Sequence, residues 1–238
     1  MTGSPPLPWL GTEDDPARLP DPSLALADPN GLLAAGGALT PRWLLAAYRR
    51  GIFPWFSPGQ PILWWSPDPR AVFDPAHFRP SRSLAQSIRN RGYTTRLDSA
   101  FGAVVAACAA PRGDGQGTWI TASMQSAYAE LHRLGCAHSV ETWHGGDLVG
   151  GLYGVRVGGM FFGESMFSRA RDASKVALSR LIDEARATGI GLIDCQMPTP
   201  HLASLGAETL ARGEFLRRLA ALVAEQEPGT AVARARQP

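Results

Sequence analysis

The chain has 238 residues, is 45% apolar and carries a formal charge of +2, values that suit one large globular domain or a large domain with a small companion. So small a net charge excludes bulk attraction to nucleic acid, and any such contact must come from a local patch. No apolar run approaches a membrane span, the N-terminus lacks a signal peptide's basic and apolar regions, and Cys108, Cys136 and Cys195 have neither paired nor metal-ligand spacing, so the expected location is a reducing cytoplasm.

Residues 1–30, rich in proline and aspartate, are expected to run as irregular surface chain. A turn at Pro29-Asn30-Gly31 leads to a short apolar piece from Leu32. Thr40-Pro41 combines a capping hydroxyl with proline at the first helical position, and Trp43, Leu44, Ala47 and Tyr48 form the apolar face of the helix that follows. Arg49-Arg50-Gly51 ends it with two cations and a glycine. The next segment, GIFPWFSPGQPILWWSPDPR, is too rigid for a linker and too interrupted for a helix; it reads either as a packed aromatic corner or as the aromatic wall of a ligand site.

From Ala71 the pattern turns to alternating helices and strands. A helix is expected at 83–91, a strand at 93–97, and a helix capped by Asp98 and carrying Phe101, Val104, Val105 and Cys108. After a loop at 112–117 come a short strand at 118–120 and a helix capped by Thr121, with Met124, Tyr128 and Leu131 inward. Strands follow at 138–143, 148–157 and 160–163, the last two joined by a Gly158-Gly159 turn. A helix from about 173 to 188, a buried strand at 190–196, a last helix marked by Phe215, Leu219 and Leu222, and a frayed tail at 226–238 complete the chain. A helix pair, an antiparallel meander, a helix and a further strand make an α+β fold around a mostly antiparallel sheet, with a small N-terminal domain at 1–69 and a catalytic domain at 70–238.

Three groups of residues could carry chemistry. Glu164 stands among Phe162, Met166 and Phe167, where a carboxylate is costly unless a basic core residue neutralises it or a cationic ligand arrives. Asp194 and Gln196, alternating on one strand, would share a face, so that the carboxylate could hold the amide NH2 and aim its carbonyl oxygen at an attacking amine. A serine-hydrolase triad of Ser165, His201 and Asp194 is disfavoured, because Phe167 occupies the place of the second glycine of the nucleophile elbow. The third group is basic: Arg79, Arg82, Arg89 and Arg91 with interleaved hydroxyls suit phosphate oxygens, although the same spacing fits a solvated helix face.

The segments PNGLLAAGGALTP, AYRRGIFPWFSPGQPILWWSPDPRAVF, SRS, TWIT, HSVETW, LVGGLYGV, FFGESMFSR, ASKVAL, LIDCQ and HLASLGA, in order over about residues 29–212, resemble the leucyl/phenylalanyl-tRNA–protein transferases. The resemblance implies a GNAT-like C-terminal domain. It also implies an aminoacyltransferase that moves leucine or phenylalanine, and methionine less well, from aminoacyl-tRNA to the N-terminal arginine or lysine of a protein, creating a bacterial N-end-rule degradation signal. It places the catalytic pair at Asp194 and Gln196 and the acidic peptide-site residue at Glu164. Trp55 and Trp119 fall where the family flanks the tRNA 3′ adenosine and aminoacyl group. Leu152, Phe161, Gly163, Met166, Leu178, Leu181 and Ile193 fall in its side-chain pocket. Some relatives have methionine for Leu152 and phenylalanine for Leu181, and a basic pair where this chain has Ala85-Gln86, which leaves tRNA contact to Arg79, Arg82 and Arg89.

An aminoacyl ester is already activated, so the expected reaction needs no ATP, metal or other cofactor. An α-amine with a pKa near ~8 supplies enough neutral nucleophile. The expected partners are aminoacyl-tRNA and peptides with N-terminal Arg or Lys, with no membrane, and the expected state is a monomer. The alternative is a GNAT-type N-acyltransferase using acyl-coenzyme A, but the glycine-rich stretch from Gly150 to Gly159 does not match a Q/R-x-x-G-x-G/A pyrophosphate loop. A noncatalytic tRNA-binding module would not need Asp194 and Gln196.

Overall fold

The computed structural model describes residues 7–111 and 118–224; the loop expected at 112–117 and the tail expected at 226–238 lie outside the described residues. The chain begins with β1 (Trp9–Leu10), then two 3-10 turns, Pro16–Arg18 and Pro22–Leu24, each opened by an aspartate whose carboxylate accepts from the backbone two residues on. The apolar piece after Gly31 is β2 (Leu32–Gly36). Helix α1 (Pro41–Tyr48) is capped by Thr40 Oγ1, as its sequence requires. Gly51 closes the connection at φ +71°, and a Cβ there would sit 2.8 Å from Leu216. The aromatic corner supplies β3 (Phe53–Pro54) and β4 (Leu63–Trp65), completing a four-stranded sheet in the order β1-β2-β4-β3. Trp64 is fully buried and stacks on Trp43 with ring centroids 5.9 Å apart.

The second sheet has seven strands and takes up the rest of the chain. In sequence its elements are β5 (Arg70–Phe73), α2 (Arg82–Asn90), β6 (Thr94–Leu97), α3 (Phe101–Ala109), α4 (Ala122–Arg133), β7 (Ala137–His144), β8 (Asp147–Val157) and β9 (Met160–Ser168). Then come α5 (Ala173–Thr188), β10 (Leu192–Asp194), α6 (Pro200–Ser204), β11 (Glu208–Leu210) and α7 (Arg212–Ala224). The order is β11-β5-β10-β9-β8-β7-β6, antiparallel throughout except where β10 lies parallel to β9 through the α5 crossover. The fold is therefore α+β with a mostly antiparallel sheet. Alternation sends Met160 and Phe162 to one face, into an apolar cluster shared with α1, α3, α4 and α7; Phe161 points to the other, against Ala177, Leu178, Leu181 and Ile182 of α5.

Four local expectations need correction. Residues 118–120 form a tight turn, with Ile120 N–H on Thr118 Oγ1 and Thr121 N–H on Trp119 O, rather than a strand. Asp98 does not cap α3, whose N-cap is Ala100 without a side-chain cap. Asp98 sits instead at φ 53° with its carboxylate on Ser139 N–H and His138 Nδ1, while Glu141 of β7 receives the N–H groups of Ser99 and Ala100. Strand β9 runs on to Ser168, past Glu164, and β10 stops at Asp194 instead of continuing to Gln196.

Candidate functional site

Pairing between β9 and β10 ends at Phe162 and Asp194, and the two strands then part. The gap opens a cavity of about 600 Å³, a volume ordinary for a ligand site. A β-bulge shapes its wall. Gly163 faces Gly154 and Ser165 faces Tyr153, so Glu164 is one residue too many for the ladder. Beyond the bulge the alternation changes parity, and Met166 joins the face of Phe161 and Ile193 while Phe167 turns to the other cluster. At Gly154, opposite the bulge, a Cβ would lie 2.2 Å from Phe162 O, so only glycine lets the strands approach this closely.

One side of the cavity is apolar: Phe73, Leu152, Met166, Leu178, Leu181 and Ile193 line it, together with Trp119 and Phe167. Phe161 is 2% exposed and backs this wall from within the α5 cluster without lining it. At another edge Asp172, at φ 62°, accepts from Ser87 and Lys175. Among the described residues no group of three or more His, Cys, Asp and Glu side chains is placed to hold a metal.

The polar end is built around Glu164, which lines the cavity at only 7% exposure. Its Oε1 lies 2.7 Å from the Tyr48 hydroxyl and its Oε2 2.6 Å from the Tyr128 hydroxyl, and Gln196 Nε2 donates to Oε1 at 3.3 Å. Burial raises the Glu164 pKa to about 7 against the pull of the two tyrosine hydroxyls. Burial, then the neighbouring carboxylate, pushes both phenols well above their ordinary range. The carboxylate is thus accommodated by a route outside the two expected ones, since phenol hydroxyls rather than a basic core residue or a cation hold it.

The basic core residue goes to Asp194 instead. Arg70 grips it at both oxygens, Nε to Oδ1 at 2.8 Å and Nη2 to Oδ2 at 2.7 Å, with both side chains wholly buried. Arg70 Nη1 also donates to Gly51 O, and its guanidinium lies between the rings of Phe53 and Phe215, at 4.9 and 4.5 Å. Asp194 therefore does not hold the Gln196 side-chain amide as the alternation suggested. It accepts the Gln196 backbone N–H at 2.8 Å, fixing that residue at φ 65° just past the strand end, and the side chain turns to Glu164. The proposed amide geometry fails because β10 ends at Asp194, two residues short of Gln196, so strand alternation does not reach it.

The structure brings Trp119, Leu152, Gly163, Glu164, Met166, Leu178, Leu181, Ile193 and Gln196 to one cavity, with Asp194 directly behind Gln196. Trp55 is outside the lining, 37% exposed on the aromatic corner, its ring edge-on to Trp65 at 5.4 Å. Arg82 opens α2, Arg89 lies in its last turn and Arg79 precedes it, all exposed. Ser165 and His201 line the cavity, but Asp194 has both oxygens on Arg70 and cannot orient His201, which removes the triad. Cys195 lines it too, and burial pushes its thiol pKa up, away from the reactive thiolate. Gly150, Gly151 and Gly154 lie inside β8, packed against Ala173, Val140 O and Phe162 O, and so form no phosphate loop. Sequence reasoning missed Tyr48, Tyr128 and Arg70 as parts of the site; the first two carried only the signal of helix-face core positions, and Arg70 that of a loop end.

Residues 72–220 match the model of the family described as leucyl/phenylalanyl-tRNA protein transferase, and residues 37–68 match that of its N-terminal domain. A leucyl/phenylalanyl-tRNA–protein transferase of Azoarcus sp. strain BH72 is 58% identical over 222 residues, 93% of each chain. Another, of Thiobacillus denitrificans, is 60% identical over 204 residues, 86% of this chain and 90% of that one. Among solved structures, a GCN5-related N-acetyltransferase from Kribbella flavida aligns at TM-score 0.40 and 12% identity, covering 72% of this chain and 61% of that one, too distant to carry an argument.

Proposed function

This chain belongs to the leucyl/phenylalanyl-tRNA–protein transferase family, and on that premise we propose how its cavity moves an aminoacyl group from tRNA to a protein. The chain is an aminoacyltransferase. The observation that carries the site assignment is one cavity with an apolar wall and, at its end, the Gln196–Glu164 pair. The leucine, phenylalanine or methionine side chain enters against Leu152, Met166, Leu178, Leu181 and Ile193, which fixes the ester carbonyl beside Gln196. Trp119 and the exposed Trp55 flank the terminal adenosine, and Arg79, Arg82 and Arg89 meet phosphates. The α-amine of a protein beginning with Arg or Lys approaches at Glu164, and the product carries a new N-terminal degradation signal.

Catalysis is then chiefly orientation. A positioned amine and ester react as one molecule, an advantage worth roughly 7–11 kcal/mol when the geometry is good. Gln196 is the positioner that touches the amine, and Asp194 holds it through the backbone while Arg70 holds Asp194. A dry wall without polar groups discriminates size by only ~1–3 kcal/mol per methylene, so adenosine and phosphate contacts supply general affinity. Residues 1–69 act as a small N-terminal domain and 70–238 as the catalytic one, joined by the Arg70–Gly51 contact and a shared apolar cluster. Among the described residues no helix is long and apolar enough to cross a membrane, and a cytoplasmic monomer fits the use of tRNA.

The test is transfer of labelled phenylalanine from its tRNA to a peptide starting with arginine, with acetyl-coenzyme A present as a competing donor. Label on the peptide supports the reading; acetylation, or retention of the tRNA without transfer, sinks it. Gln196→Ala is expected to lose transfer while keeping tRNA affinity, and equal loss of both would remove its assigned role.

A further inference from the structure

Three oxygen–oxygen contacts close a ring at the polar end of the cavity. Glu164 Oε1 lies 2.7 Å from the Tyr48 hydroxyl, Oε2 lies 2.6 Å from the Tyr128 hydroxyl, and the two hydroxyls lie 2.8 Å from each other. Each contact of that length is a hydrogen bond and needs its own hydrogen. Each phenol has one to give, and an ionised carboxylate has none. With Glu164 ionised there are two hydrogens for three contacts, and one pair of oxygens would meet lone pair to lone pair, with both phenols wholly buried. With Glu164 protonated there are three, and the ring closes in either direction: carboxyl to one tyrosine, that tyrosine to the other, and the second back to the free carboxyl oxygen.

We propose that Glu164 rests in this ring as a neutral carboxyl that shares its proton with Tyr48 and Tyr128, and that Glu164 carries the proton of the transfer reaction instead of standing as a fixed anion. The proton sharing stands on the ring geometry; the shuttle rests in addition on the transferase reading. Because Glu164 reaches the cavity and the tyrosines lie fully buried behind it, Glu164 is the group that meets substrate and the tyrosines are positioning residues. In the step itself the amine lone pair forms the C–N bond and the ester C–O pair passes to the ribose oxygen. That oxygen takes the Glu164 proton, and the resulting ammonium nitrogen returns one proton to Glu164. The carboxyl ends as it began.

The surroundings favour the neutral form. Tyr48 on α1, Tyr128 on α4 and Tyr153 on β8 face Glu164 as neutral phenols. Asp194 on β10 disfavours a second negative charge, and Arg70 on β5, which opposes that effect, is already committed to Asp194. Along the same cavity Lys175 is paired with Asp172, His201 is exposed on α6, and burial keeps Cys195 a thiol. No cation donates to Glu164 among the described residues. Burial is the largest influence and sets the carboxyl near neutrality, where it can both give and take a proton.

Infrared difference spectroscopy of the full chain, titrated across neutral pH, tests this directly. The wild type is expected to show a protonated-carboxyl C=O band that disappears with a midpoint near 7 and is missing in Glu164→Gln. In Tyr48→Phe and Tyr128→Phe the midpoint is expected to move up by roughly one to two pH units, the effect of removing one hydrogen bond to an ionised group. A merely structural tyrosine would leave it in place. A wild-type band with its midpoint in the ordinary carboxylate range near ~4, or no movement in either variant, overturns the proposal. A band that titrates as stated in a protein that transfers nothing from aminoacyl-tRNA supports the proton sharing and defeats the transferase reading; transfer without the band does the reverse.

Discussion

Replacing Arg70 by methionine tests how the site is held together. The side chain is wholly buried, donates two hydrogen bonds to Asp194 and one to Gly51 O, and lies between two aromatic rings. Methionine keeps the stem between Phe53 and Phe215 but leaves the Asp194 carboxylate buried without its counter-charge. Breaking such a pair from one side costs about 3–5 kcal/mol, since the remaining charge keeps its full desolvation penalty. For a chain of this size the corresponding fall in Tm is roughly 6–20 °C. Urea unfolding reads it as a lower midpoint at an unchanged slope. The double variant Arg70→Met, Asp194→Leu removes both charges, and its stability is expected to return to within about 2 kcal/mol of wild type, the remainder being the orphaned Gln196 N–H. A cost under about 1 kcal/mol for Arg70→Met, or a double variant no better than the single one, would refute the reasoning.

Two further outcomes follow from the charges. Glu164 has a folded pKa of about 7 against 4.5 for the free side chain. Between those values the folded protein keeps a proton that the unfolded chain has released, so this group's contribution is complete below pH 4.5 and is lost as pH rises through about 7. The loss is about 3 kcal/mol over the window at ~1.4 kcal/mol per unit, and urea midpoints of wild type and Glu164→Gln measured across it should diverge accordingly; parallel curves would contradict the assignment. Arg82→Ala and Arg89→Ala are each expected to raise the KM for aminoacyl-tRNA with kcat unchanged, and to lower the slope of log KM against log salt by about 1 per arginine. A slope equal to wild type in both would leave α2 as a solvated face.

The sequence carried most of the fold, because local chemistry determines it. Thr40-Pro41 starts α1, Gly158-Gly159 turns β8 into β9, and the helical spacing of Met124, Tyr128 and Leu131 gives α4 its buried face. The resemblance in long ordered motifs also gathered most of the cavity's residues, since Leu152, Leu178, Leu181 and Ile193 follow simple helix and strand periodicities toward one face. Period-2 reasoning fails at Glu164: Phe161 and Gly163 alternate, Met166 does not, and only a bulge with no signature of its own returns Met166 to their face. Which charge meets which partner was equally illegible. Arg70 is 124 positions from Asp194, and Tyr48 is 116 from Glu164, so each pairing is decided by where the seven-stranded sheet and α1 bring their buried groups. The sequence by itself established that a carboxylate stands in an apolar strand of an α+β transferase. Only the tertiary structure decided that two phenols hold it and that the arginine serves Asp194, because the cost of a buried charge is settled by neighbours in space rather than in the chain.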